Sequence, residues 1–198
     1  MKDVLTIDWE MLGNISYQTQ LGKTLRNTLR KFNKEELFDE INDIITHYIE
    51  CDSMIKHDHR IKSIQSCALK YEKYFPSTEV EKVFNDILGI RIIVDDYSIL
   101  SKIAEQDNVR MVDLRHGKSK DDGYRAVHAY YQKNHYHYPI EIQFMTPHDH
   151  QFNEWLHIYL YKYLTDKTVG CQLRTMYDNG EITNEEEFRK EMQRLCAT

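Results

Sequence analysis

No apolar run in this chain approaches the roughly 20 residues that a membrane-spanning helix needs. The opening Met-Lys-Asp-Val-Leu-Thr-Ile-Asp-Trp-Glu also lacks the long apolar core of a secretory signal. Both absences point to a cytoplasmic protein with no membrane partner. Cysteine is scarce, and Cys51, Cys67, Cys171 and Cys196 stand far apart without a paired motif. Free thiols in a reducing compartment are therefore expected. There is no repeat, no low-complexity tract and no Gly/Pro/Ser linker, so 1–198 is read as a single domain. Its parts are a helical segment over about 1–50, a core over about 51–165 and a helical tail over about 166–198. Positive charge is also in deficit, with 26 Lys and Arg against 32 Asp and Glu. That balance excludes a protein that coats nucleic acid by bulk charge, though it leaves room for a local basic patch.

What is present is a globular composition, 41% hydrophobic and 29% charged. Leu37, Phe38, Ile41, Ile44, Ile45 and Tyr48 recur at helical spacing, and a helix is expected over 14–50. Ser63 is the expected N-cap of a helix reaching about residue 74, with Pro76 just beyond its end. Gly89 to Val94 reads as a buried strand, 98–106 as a helix, 109–114 as a strand and 115–123 as a polar loop able to move. Residues 124–131 and 138–145 read as a hairpin and 149–164 as an aromatic-rich helix. Asn184-Glu-Glu-Glu187 opens a terminal helix, its carboxylates near the positive end of the helix dipole. This order predicts an α/β (α+β) domain with a mixed, largely antiparallel sheet flanked by helices.

Four phrases carry chemistry. In the first, Lys62, Ser66 and Lys70 fall within about 80° of one another on a helix, with Arg60 in the extended segment before it. Two lysines, a hydroxyl and an arginine suit a triphosphate; a solvated helix face is the plain alternative. In the second, Asp86 stands at the lip of an apolar strand that contains Arg91. The carboxylate can hold a metal. The arginine either lies against a base or pairs with Asp86 or Asp95. In the third, strand alternation puts Tyr124, Ala126, His128 and Tyr130 on one face, behind Gly123. In the fourth, Glu141 and Gln143 share a face opposite Ile140, Ile142 and Phe144. If the two strands pair, Glu141 and Gln143 can lie beside Tyr124 and His128, with Asp86 and Glu141 as the two carboxylates of a Mg²⁺ site. The histidine pairs His57/His59, His135/His137 and His148/His150 come with neither a cysteine pair nor a zinc-type helical spacing.

In this order the four phrases resemble the synthetase domain of the RelA/SpoT family over roughly residues 45–165. The resemblance implies a nucleotidyltransferase-like fold and one reaction. With Mg²⁺, pyrophosphate passes from ATP to the 3′-hydroxyl of an acceptor nucleotide, and AMP leaves. By motif, Arg60 and Arg91 would sandwich the adenine, and Lys62, Ser66 and Lys70 would hold the phosphates. Asp86 and Glu141 would bind Mg²⁺, with Glu141 helping to deprotonate the attacking hydroxyl. Tyr124 would stack on the acceptor base, with Lys120, His128 and Gln143 nearby. A synthetase without alarmone hydrolase activity is expected.

Where alarmone-making members carry an arginine after the strand glutamine and then a Glu-His pair, this chain has Met145 and Leu156-His157. The stretch from His137 to Lys162 is more similar to the toxic small alarmone synthetases, which pair with a protein antitoxin and in several cases modify the 3′-CCA end of tRNA. Lys23, Arg26, Arg30, Lys31 and Lys34 would suit that acceptor, and Lys23, Arg26, Arg30 and Lys34 can share one helix face. The tRNA 3′ end is the leading acceptor and GDP/GTP the alternative. A nucleotide-binding module without turnover is the rival of a different class.

Overall fold

A computed structural model describes residues 7–161 and 168–196. In chain order its elements are α1 (Trp9–Ile15), α2 (Lys34–Glu50), β1 (Asp58–Ile61), α3 (Ile64–Tyr74), α4 (Val80–Val83), β2 (Leu88–Ile93), α5 (Leu100–Ala104), β3 (Val109–Asp113), β4 (Val127–Tyr131), β5 (Ile140–Met145), α6 (Pro147–Trp155), α7 (Val169–Asp178) and α8 (Glu185–Cys196). The strands form one mostly antiparallel sheet in the order β1-β2-β5-β4-β3, flanked by helices. The expected fold class and the pairing of the two late strands are therefore present. Two compact units are distinguished. The first runs through Ile92 and adds Ser98–Met111 and Ala129–Gln143; the second holds Ile93–Tyr97, Val112–His128 and the described residues from Phe144 onward.

In the first unit, Asn33 starts α2 by accepting the Glu36 amide at 3.0 Å, and Leu37, Ile41, Ile44 and Tyr48 form its buried stripe. The helix expected over 14–50 thus exists only from residue 34. All six apolar residues that predicted it lie in this part. Upstream, the backbone takes its partners elsewhere: the Thr19 amide donates to Tyr136 O at 2.8 Å, Leu25 to His135 O at 2.9 Å, and Glu81 to Leu25 O at 3.0 Å. Gly22, at φ +66°, turns the chain there. Lys23, Arg26, Arg30 and Lys34 consequently do not share a helix face.

A buried carboxylate gathers this irregular segment. Glu40, 4% exposed on α2, accepts from Thr19 Oγ1 at 2.8 Å, the Gln20 amide at 2.6 Å and the Tyr138 hydroxyl at 2.7 Å. Three donors offset the cost of removing that charge from water.

In the second unit, Thr146 caps α6 by accepting the Asp149 amide at 3.2 Å, and the helix passes into a π turn over Leu156–Leu160. Residues 162–164 of the helix expected there lie outside the described residues. Phe152, Trp155, Leu156, Leu160, Leu173, Tyr177 and Phe188 make the core of this unit. Inside it, Arg174 on α7 meets Asp149 at 2.7 Å, and Tyr97 donates to the same carboxylate at 2.6 Å. Asn184 starts α8 by accepting the Glu187 amide at 3.0 Å, as its sequence suggested. The paired histidines have separate local partners: His59 meets Asp52, His137 meets Asn134 and His148 meets Asp178. Among the described residues no helix is long and apolar enough to cross a membrane.

Tyr138→Phe would leave the Glu40 carboxylate in place with one donor fewer. The expected cost is about 1.5–3 kcal/mol, measured as a lower urea midpoint at an unchanged slope.

Candidate functional site

Arg60 and Arg91, the arginines expected on either side of the adenine, stand on β1 and β2. Asp58 lies opposite Arg91 and Arg60 opposite Gly89, so Arg60 and Arg91 are diagonal neighbours. Diagonal cross-strand positions are about 7–8 Å apart, a spacing that admits one flat ring between two guanidinium planes. Leu88, Ile90 and Ile92 turn to the core, which leaves Gly89 and Arg91 on the other, more accessible face. Arg91 Nη1 donates to Asp58 Oδ2 at 3.1 Å. The partner read from sequence, Asp86 or Asp95, is corrected to Asp58, because antiparallel register puts Asp58 directly across.

The phosphate-side residues meet differently from expectation. Ser63 is the N-cap of α3, accepting the Ser66 amide at 3.3 Å, so Lys62 precedes the helix and cannot share a helical face with Ser66 and Lys70. Lys62 and Lys70 nevertheless converge, because both ammonium groups reach Asp86: Lys62 to Oδ2, and Lys70 to Oδ1 at 2.9 Å. The Lys62 amide donates to Ile87 O at 2.8 Å, which fixes the approach through the backbone. Burial alone would raise the Asp86 pKa, but Lys70 and Lys62 outweigh it and hold the carboxyl below its ordinary value. Ser66 is half-buried in the first turn of α3, its hydroxyl 3.0 Å from that of Ser63.

Glu141 on β5 is 7% exposed. Its Oε1 accepts from the Tyr130 hydroxyl at 3.1 Å and its Oε2 from Gln143 Nε2 at 2.7 Å. Gly89 on β2 is its neighbour: a Cβ there would sit in ordinary contact, 3.5 Å from Glu141 Oε2. Burial, then Glu141, raise the Tyr130 pKa, and Asp86 adds to the shift, so this phenol lies in the field of both carboxylates. The chemistry of the two groups fits Mg²⁺, since Asp86 and Glu141 are both hard carboxylate donors. Among the described residues no three His, Cys, Asp or Glu gather at one point.

Lys120, Tyr124 and His128, which the sequence suggested for the acceptor, lie in the second unit. Tyr124 precedes β4 instead of sitting within it. The Gly123 and Tyr124 amides donate to the side chains of Asp121 and Asp122, and the Arg125 amide to Asn153 Oδ1, leaving none of the three for a strand ladder. Tyr124 still meets His128, hydroxyl to Nε2 at 3.0 Å. Lys120 is exposed on the loop, while it is Lys118 whose ammonium lies 4.7 Å from the Tyr124 ring centroid. The loop read as mobile is strongly tied at its end. Arg125 grips Asp121 with two bonds of 2.7 Å, and the Tyr161 hydroxyl donates to Asp122 at 2.9 Å. Gly123, at φ +85°, lies so close to Gly170 that a Cβ would fall 2.2 Å from the Gly170 carbonyl oxygen. Met145 is buried, its sulfur 3.2 Å from Asn153 Nδ2, and His157 is exposed.

The basic residues of the N-terminal segment are dispersed. Lys23 donates to Lys31 O at 2.9 Å, Lys34 pairs with Glu72 at 2.7 Å, and Arg30 and Lys31 are exposed. Arg26 instead lines a pocket of about 420 Å³ in the first unit with Lys82, Arg110, Lys133 and Tyr130, and with the carboxylates Glu81 and Asp107. Sequence reading assigned no role to Tyr130, Arg110, Lys133 or Asn153. Alternation did place Tyr130 on the His128 face, but nothing local marks its bond to Glu141.

A family model described as "Region found in RelA / SpoT proteins" matches residues 59–167, more than half of the chain. The chain belongs to the RelA/SpoT family, and its reaction class is that of a RelA/SpoT-type pyrophosphokinase. No curated protein matches it. Among solved structures, it is similar to small alarmone synthetase 1 from Bacillus subtilis (22% identity, 82% of this chain and 90% of that one, TM-score 0.43). The same synthetase bound to its product pppGpp gives 23% identity, the same coverage and a TM-score of 0.46. A GTP pyrophosphokinase family protein from Streptococcus pneumoniae gives 20% identity, 82% and 87% coverage and a TM-score of 0.42.

Asp86→Asn keeps the shape and removes the charge. Pyrophosphate transfer is expected to fall by at least about 100-fold, with cooperative thermal unfolding retained. Transfer at the wild-type rate would remove Asp86 from the site.

Proposed function

We propose that this protein transfers the β,γ-pyrophosphate of ATP to the 3′-hydroxyl at the CCA end of tRNA, a modification that blocks translation and makes the protein a toxin to be neutralised by a protein antitoxin. The observation that carries the reaction type is the convergence of Lys62 and Lys70 on Asp86 in the same unit as the Arg60/Arg91 pair and Glu141. Arg60 and Arg91 clamp the adenine. The triphosphate draws Lys62 and Lys70 onto its oxygens, with Ser66 beside them, and so frees Asp86. Mg²⁺, when held by Asp86 and Glu141, neutralises charge on the transferred phosphates.

The acceptor oxygen forms a bond to the β-phosphorus as the bond from that phosphorus to the α,β-bridging oxygen breaks. AMP leaves with that bridging oxygen. Glu141 draws off the hydroxyl proton, which passes to solvent. Most of the catalysis is positioning and charge compensation, with no covalent step on the protein. Tyr124, with His128 at its hydroxyl and Lys118 and Lys120 on the preceding loop, serves the acceptor base; Gln143 serves through its bond to Glu141.

The basic pocket favours tRNA over a free nucleotide. Four cations, Arg26, Lys82, Arg110 and Lys133, outnumber the two carboxylates, Glu81 and Asp107, in the pocket lining; Arg26 lies 3.9 Å from Glu81 and Lys82 pairs with Glu79 at 2.6 Å, and Tyr130 at the pocket wall bonds Glu141. A phosphate backbone continuing past the reacting sugar would use that charge. GDP or GTP is the second reading, supported by family membership. The double variant Arg26→Ala/Lys133→Ala is expected to slow transfer to tRNA and to flatten its dependence on log salt by about one unit per cation. Transfer to GDP should stay within about twofold. Equal losses on both acceptors, or none on tRNA, would refute the pocket's role.

A further inference from the structure

Beyond the motif residues, one side chain of the first unit touches both the carboxylate assigned to the metal and the basic pocket. Tyr130 projects from β4 on the side opposite the buried Val127, Ala129 and Tyr131. Its hydroxyl donates to Glu141 Oε1 at 3.1 Å, and its ring lies 4.3 Å below the Arg110 guanidinium carbon. Arg110 is exposed at the rim of the same 420 Å³ pocket. With Gln143 on Oε2, Tyr130 completes a two-point grip, so the carboxylate plane can turn only by breaking a bond. A hydrogen-bond donor behind a metal-binding carboxylate orients it, and losing such a partner typically costs about 10–100-fold in metal affinity or activity.

We propose that Tyr130 is a positioning residue that aims the Glu141 carboxylate at the metal, and that Arg110, stacked on its ring, holds Tyr130 in that pose. This rests on the reading of Glu141 as a metal ligand. The arrangement joins two tasks. A phosphate that enters the pocket can meet Arg110, which is one side chain away from the group that sets Glu141. Acceptor engagement and metal geometry are then coupled through Arg110, Tyr130 and Glu141 within one unit. The face of the ring takes the cation and its hydroxyl takes the carboxylate, a division that tyrosine supports and phenylalanine does not.

The test compares wild type, Tyr130→Phe, Arg110→Gln and Glu141→Gln. Mn²⁺ binding is followed by electron paramagnetic resonance with an ATP analogue carrying carbon between its α- and β-phosphates, and no acceptor present, so pocket contacts to an acceptor do not enter. AMP formation is measured separately with deacylated tRNA and with GDP. Tyr130→Phe is expected to weaken Mn²⁺ binding and lower kcat by about 10–100-fold, with KM for ATP within about twofold. Arg110→Gln should weaken Mn²⁺ binding in the same direction by less. Wild-type Mn²⁺ affinity in Tyr130→Phe, or a loss confined to KM, overturns the proposal. If Tyr130→Phe does not fold, Arg110→Gln decides, and unchanged Mn²⁺ affinity there overturns it. Glu141→Gln separates the two layers of the argument. If it retains activity and Mn²⁺ binding, the assignment of Glu141 itself fails. If it loses both while Tyr130→Phe behaves as wild type, only the positioning role fails.

Discussion

The first unit is organised around a carboxylate that cannot be left alone. Asp86 is largely withdrawn from water, and an isolated charge there would be costly. Lys62 and Lys70 supply the compensation, one from the link after β1 and the other from within α3. Three pieces of chain are thereby pinned at one point: the end of β1, the body of α3 and the turn before β2. On the proposed function, the same arrangement would hold Lys62 and Lys70 in place before ATP arrives, and a triphosphate that drew them away would release Asp86 toward a metal. Removing either side leaves the other uncompensated, which is why such clusters tolerate little change.

Glu141 is likewise held by its surroundings: Tyr130 donates to one of its oxygens and Gln143 to the other. Both carboxylates are oriented by their surroundings before any ligand binds. For a reaction whose catalysis is positioning and charge compensation, that preorganisation is the protein's main contribution.

Much of this was legible locally. The Ser63 cap, the apolar strand around Arg91, the alternation that puts Glu141 and Gln143 on one face and the terminal helix opened by Asn184-Glu-Glu-Glu187 depend on residues close in sequence, and each appears as read. Long-range choices were not legible. Thr24 Oγ1 bonds to His135 O across 111 positions, and bonds of that kind draw the chain before residue 34 out of a helix. Lys62 and Lys70 do come together, but through Asp86 and not through the helical face their spacing suggested. In the second unit the sequence separates Gly123 from Gly170 by a helix and more, yet their backbones touch, and only glycine at both places permits it. Tyr130 shows the same limit: alternation assigns its face, while its partner depends on how β4 and β5 align.

Pyrophosphate transfer to tRNA is measured most directly as label transfer from γ-³²P-ATP with Mg²⁺, offering deacylated tRNA and GDP or GTP side by side. Label is expected at the tRNA 3′ end, abolished by removing the terminal 3′-hydroxyl. Label on the free guanine nucleotide with none on tRNA would contradict the acceptor, and no transfer to either would contradict the enzyme.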